Sequence, residues 1–416
     1  VVPFSVPYDP AAVSDLAGKL SKIRYPHEVD GGGEDWYPGA PVEVVQRLVE
    51  HWQNNFDWSA QVAKLNEMPQ FTMQLGEHNV HFVHQRSSNQ NATALLLIHG
   101  WPGSFWECSK VLPLLTEPQL HGGRAEDAFH VVCPSIPGFG YSSKPTRPGF
   151  DQMECAKVFA TLMHELNYVE YYLQGGDWGS VVASLQAVLP PGPARGKVLG
   201  LHLNMVPAPP PVMKGPVAVA NLMLSVVLPS WYYSPQEWKD IKETPLRSLL
   251  QTGYFHQQST KPSTTAYGLS DSPVGLMAWI VEKFYEWSDC HGDVFSRFTE
   301  DELLTNVMIY WMTNSAASSV RFYYELVNGP NTCLEALFAK LEVQVPAAMA
   351  LFPVELFAPV KYWAGHTYKN IVQWNHMPTG GHFAAMEEPV LLAKDLWQFK
   401  MKTMKSNSQT LKSTLL

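Results

Sequence analysis

Gln174-Gly175-Gly176-Asp177-Trp178-Gly179-Ser180 is the stretch on which the reading of the fold turns. It lies between the apolar run Tyr171-Tyr172-Leu173 and a segment of helical character. A turn from strand to helix is so tight that any side chain at Gly175 or Gly179 would collide with the neighbouring elements. The central residue, Asp177, is then forced into a strained conformation, with its carboxylate exposed at the end of a sheet. The helix N-terminus behind it favours an anion. An aspartate here also suits a plain helix N-cap, so the surrounding pattern has to decide between the two roles.

That pattern is regular. Ala94–Ile98, Phe129–Cys133, Tyr171–Gln174 and Val198–Leu203 are short runs, apolar on both faces and separated by helical stretches. Such runs describe the buried strands of a mostly parallel sheet. The pattern resumes at Met349–Phe352 and Asn370–Trp374, and a last helix is expected over Pro389–Lys402. Between the two halves, Val206-Pro207-Ala208-Pro209-Pro210-Pro211 breaks any element. Helical periodicity follows to about residue 345, including a capping box at Thr299-Glu300-Asp301-Glu302. Residues 1–90 read as helices and a hairpin, with strands at Phe71–Leu75 and Val80–Gln85. The fold expected is α/β: it resembles the α/β-hydrolase fold, a mostly parallel central sheet flanked by helices, with a helical lid and an N-terminal wrapping segment. We divide the chain into the wrap (1–90), the first part of the core (91–206), the lid (207–345) and the second part of the core (346–416).

Composition narrows the function. The chain has 416 residues, 46% of them apolar and only 16% charged, with a formal charge of −9. Nucleic acid is not an expected partner, since its phosphates need a basic patch and the sequence has none. Cys108, Cys133, Cys155, Cys290 and Cys333 are scattered, with no Cys-x-x-Cys. This spacing suggests neither a disulfide framework nor a zinc site, and no metal or cofactor is expected. The longest apolar stretch, Val217–Leu228, is too short to span a bilayer. The chain opens on Val1 rather than Met, which leaves room for an upstream segment.

A carboxylate nucleophile selects the chemistry. Attack on an acyl carbon gives an anhydride, whereas attack on an sp³ carbon gives an alkyl ester that activated water can cleave. The substrate should carry an electrophilic sp³ carbon, as in an epoxide or an alkyl halide. His99-Gly100-Trp101-Pro102-Gly103-Ser104 follows the first run. It occupies the position of a loop that supplies one backbone N–H of an oxyanion hole, from Trp101; the second is expected from Trp178. Pro102 is read as cis and His99 as structural. Gly380-Gly381-His382-Phe383 follows the last strand and offers His382 as the base. Glu355, 27 residues earlier, is the acid that orients it, with Glu342 as the fallback. An epoxide needs an acid for the alkoxide it releases. Tyrosine suits this role, and Tyr254, Tyr323 and Tyr324 all lie in the lid. A halide needs none, so a haloalkane dehalogenase remains the alternative. A hydrolase fold kept only for ligand binding is a further one.

The sequence resembles the microsomal-type epoxide hydrolases, which include the juvenile hormone epoxide hydrolases. The likeness runs through Phe56-Asp57-Trp58, His99–Ser104, Cys133–Gly138, the Asp177 turn and Leu201-His202-Leu203-Asn204-Met205. It continues in Thr260-Lys261-Pro262, Asp271–Leu276, Met308-Ile309-Tyr310-Trp311 and Gly380–Ala385. It implies Asp177 as nucleophile, Glu355 as acid, His382 as base, and Tyr254 and Tyr323 as proton donors. Tyr324 stands where the family usually has a basic residue, so the second donor is Tyr323 or its neighbour. The implied reactants are a lipophilic epoxide and water. Animal members carry an N-terminal anchor to the endoplasmic reticulum. The expected location is therefore the cytosolic face of that membrane where an anchor was removed, and the cytoplasm otherwise. A homodimer is compatible with the same likeness.

Overall fold

The computed structural model describes residues 1–27, 36, 38–190, 192, 196–330, 333–357 and 360–414. Among the described residues nine strands form one mixed sheet: β1 (Val2–Phe4), β2 (Gln70–Leu75), β3 (His78–Gln85), β4 (Thr93–Ile98), β5 (Phe129–Pro134), β6 (Glu170–Gly175), β7 (Lys197–Leu203), β8 (Ala347–Leu351) and β9 (Ile371–His376). Their order is β1-β2-β3-β5-β4-β6-β7-β8-β9. From β5 to β9 all neighbours are parallel, while β1–β3 and the β3–β5 contact are antiparallel. The apolar runs explain this. Every residue of β5 and β8, and all of β4 after Thr93, is buried, as helices on both faces require.

The hairpin expected near the N-terminus does more than cover the core, because β2 and β3 extend the sheet itself. Strand β1, three residues long, mostly exposed and carrying Pro3, is too short to read from the sequence. The last helix spans Pro389–Thr414, beyond the expected Lys402, and no Gly or Pro follows Pro389 to stop it. All five cysteines are free and buried.

Chain order reverses at β4, which sits between β5 and β6. Ligands of open α/β sheets bind at the carboxyl ends of the strands at such a switch point. The loop after β4 carries His99–Ser104, and the turn after β6 carries Asp177. Between β7 and β8 run the lid helices, among them Pro216–Val227, Gly253–Thr260, Pro273–Glu286, Glu300–Thr313 and Ala316–Asn328. The helix starting at Glu300 is capped by Thr299 and Glu302 in the expected box. No helix among the described residues is long and apolar enough to cross a membrane.

Candidate active site

Backbone sterics place Asp177. It opens the helix Asp177–Ala187 with φ of 44°, a left-handed conformation rare for a non-glycine residue. A Cβ on Gly179 would lie 2.0 Å from the Ile98 carbonyl oxygen, and one on Gly175 2.3 Å from Gly179 itself. One on Gly100 would lie 2.3 Å from the Asp177 side chain. Three glycines therefore let the elbow press against β4 and its loop. The backbone N–H of Trp101 donates to Asp177 Oδ1 at 2.7 Å. The N–H of Trp178 belongs to the first helical turn, whose donors have no acceptor within their own helix. The Trp101–Pro102 bond is cis. His99 accepts from the Ile136 N–H through Nε2 and faces the Gly100 carbonyl through Nδ1. Burial lowers its pKa to about 4, so it is neutral and serves the loop's architecture.

His382 completes a line of three side chains. Its Nε2 is 3.5 Å from Asp177 Oδ2, and its Nδ1 is 2.6 Å from Glu355 Oε1. An isolated parallel bridge between Val354 and Gly381 brings the two loops side by side. All three side chains are buried. Burial opposes a charge on His382. The Glu355 carboxylate and then Asp177 outweigh it and hold the imidazole well above its usual pKa. The resting site therefore holds an imidazolium between two carboxylates. Glu342, the fallback acid, lies at the surface 3.5 Å from Lys369.

Across from Asp177 the lid supplies two phenols. The Tyr254 ring stacks on Trp101 at 5.4 Å, and Tyr323 meets Trp178 edge-on at 4.5 Å. The two tyrosine rings are 5.9 Å apart. Tyr323 is 1% exposed, whereas Tyr324 is 36% exposed, so only the former faces the site. Burial and then the Asp177 charge raise the pKa of Tyr254 well above its usual value. For Tyr323, burial acts first, followed by Tyr254 and Asp177. Both phenols are neutral and able to donate.

Residues 1–108 match the family described as epoxide hydrolase N terminus, and residues 93–218 the alpha/beta hydrolase fold. A putative epoxide hydrolase of Stigmatella aurantiaca is 41% identical, covering 95% of this chain and 84% of that one. Epoxide hydrolase 1 of Oryctolagus cuniculus is 36% identical over 95% and 88%. The chain belongs to the epoxide hydrolase family. The crystal structure of juvenile hormone epoxide hydrolase from the silkworm Bombyx mori has a TM-score of 0.86 at 30% identity, over 98% of this chain and 95% of that one.

Several residues of this epoxide hydrolase site were not legible in the sequence. Asn306 Nδ2 donates to the Pro102 carbonyl at 2.7 Å, the Tyr310 hydroxyl to Gly103 at 2.6 Å, and Ser104 to Asn306 at 2.8 Å. The helix Glu300–Thr313 thereby holds the loop that follows β4. Asn204 at the end of β7 accepts from Gln174 and donates to the His382 carbonyl. Glu107 lines a cavity of about 20 Å³ together with Asp177, His382 and Asn204. That volume suits one water molecule. Burial raises the Glu107 pKa to about 8 against the opposing His382 charge. Its signal was Gly103, where a Cβ would lie 1.6 Å from Glu107 Oε1. Among the described residues no cluster of His, Cys, Asp or Glu is arranged to hold a metal.

Proposed function

We propose that the chain opens lipophilic epoxides to vicinal diols through an ester on Asp177. Trp101 holds Oδ1, which leaves Oδ2 to attack a ring carbon. The C–O bond of the ring breaks as the C–Oδ2 bond forms, and a phenol, Tyr254 or Tyr323, protonates the departing oxygen. The phenolate recovers its proton from the His382 imidazolium by way of the new hydroxyl or solvent. That proton is released because the ester is uncharged. Asp177 no longer supports the imidazolium, so the pKa of His382 falls and the ring becomes a base.

In the second step His382 takes a proton from water, and the oxygen of that water attacks Cγ of Asp177. The Trp101 N–H, joined by that of Trp178, holds the oxyanion that develops on Oδ1. The Cγ–Oδ2 bond breaks, the diol departs with Oδ2, and the Asp177 acid returns its proton to the leaving alkoxide. Glu355 keeps the imidazole oriented throughout. The observation that carries this reading is the Asp177–His382–Glu355 line facing two buried, neutral tyrosines.

Single turnover in ¹⁸O-labelled water tests it. The first diol should carry no label, and one label should appear in Asp177. Label in the first diol would rule out the ester route. For location, we propose the cytosolic face of the endoplasmic reticulum where an anchor precedes the chain, and the cytoplasm otherwise. A homodimer is also proposed. An apolar contact surface is supported by Val217, Met223, Val226, Val227 and Trp231, which lie exposed in and beside the lid helix Pro216–Val227.

A further inference from the structure

Lys283, in the last turn of the lid helix Pro273–Glu286, is 5% exposed. Its Nζ lies 4.8 Å from the centroid of the Tyr254 ring, over its face. The rings of Trp287 and Trp279 stand at 5.7 and 5.8 Å from the same atom. The same atom pairs with the carboxylate of its neighbour Glu282 at 2.6 Å. A buried ammonium is costly unless paired. One carboxylate, three aromatic faces and the carbonyl end of the helix offset that cost here.

The position matters because of where charge moves during ring opening. Before attack the negative charge is on Asp177. As Tyr254 gives up its proton, that charge arrives on the phenol. In the resting site burial and the charges of Asp177, Glu355 and Glu282 disfavour a phenolate at Tyr254, while the Tyr323 hydroxyl favours it. Asp177 loses its charge as the ester forms, but burial, Glu355 and Glu282 still oppose the phenolate. Among the described residues, Lys283 is the one ammonium or guanidinium group that faces the Tyr254 ring. A cation there interacts more strongly with the transition state than with the ground state, which is the condition for raising a rate.

We propose that Lys283 is a positioning residue for ring opening: its ammonium supports the phenolate that develops on Tyr254. This rests on Tyr254 being a proton donor. The bonds and protons are those of the first step above, and Lys283 keeps its own proton.

Styrene oxide in rapid-quench single turnovers provides the test, with the alkyl-enzyme and the diol followed separately. Lys283→Met should slow ester formation roughly ten- to hundredfold and leave ester hydrolysis within about twofold. Lys283→Arg should restore most of the loss. In a Tyr254→Phe background, which retains Tyr323, Lys283→Met should have no further effect on ester formation. An equal loss in that background, or slowed hydrolysis, would mean a merely structural role and overturn the proposal. If Tyr254→Phe itself leaves ester formation unchanged, the donor reading fails instead, and the two failures are distinct.

Discussion

The core and the lid fix their functional groups by different means. In the core, Asp177, Glu355 and His382 stand on short segments after strands, and backbone contacts set their positions. Gly179 lies against the Ile98 carbonyl, Asp177 takes a left-handed φ, and a bridge pairs Val354 with Gly381. In the lid, Tyr254 and Tyr323 stand within helices and are placed by ring packing on Trp101 and Trp178. Steric necessity leaves a signature of glycines in the sequence. Ring packing leaves only aromatic residues, which any core also contains. Half the site is therefore rigid by construction, and the other half depends on side chains whose partners are distant in sequence.

The largest effect expected is in the core. Asp177→Ala should lower diol formation by about 10⁴-fold or more, with no alkyl-enzyme detectable by mass spectrometry. Retained turnover would remove the core's claim to the chemistry. His382→Gln should separate the two half-reactions: about one equivalent of alkyl-enzyme accumulates and steady-state turnover falls about 10⁴-fold.

Phenol substitutions probe the lid. Tyr254→Phe and Tyr323→Phe together should slow ester formation by about 10²- to 10⁴-fold, while exposed Tyr324→Phe stays within about twofold of the parent. If Tyr324→Phe matched the double variant, Tyr324 and not Tyr323 would face Asp177.

The smallest effect is in stability against pH. His382 is held above its ordinary value, so its contribution is full below about pH 6.5 and is lost as pH rises through the folded value. Glu107 acts in the same direction. Its folded pKa is about 8 and its ordinary value 4.5, so stability falls between those pH values, where the unfolded carboxyl is ionised and the folded one still holds its proton. Urea midpoints should fall between pH 6 and pH 9. Glu107→Gln should flatten that fall by on the order of 1–3 kcal/mol. An unchanged slope would show that Glu107 is not buried as an acid.

The same contrast explains what the sequence disclosed. Among the described residues six of the nine strands were visible in the sequence pattern, five as apolar runs and β9 as the half-buried Ile371–His376, and two more as a hairpin. The elbow was readable because Gly175 and Gly179 have a steric reason. Glu355 is preferred to Glu342 because it follows its strand; what spacing could not show is the Val354–Gly381 bridge that sets the Glu355 loop beside that of His382. Asn204 and Tyr310 lay inside quoted motifs, yet their contacts with His382 and Gly103 run across 178 and 207 residues. Glu107 and Lys283 are charged residues in unremarkable surroundings. Burial gives them their character, and burial is a property of the assembled fold.

The three hydrogen bonds between the helix Glu300–Thr313 and the loop Pro102–Ser104 tie that helix to the floor of the site. Lifting the helix would pull on the loop whose N–H grips Asp177. The helix is thus a bracket bolted to that floor, and a disturbance along it is felt at the carboxylate. Mutations of Asn306 or Tyr310 should therefore change the rate of ester formation itself, and not only how tightly a reactant is held.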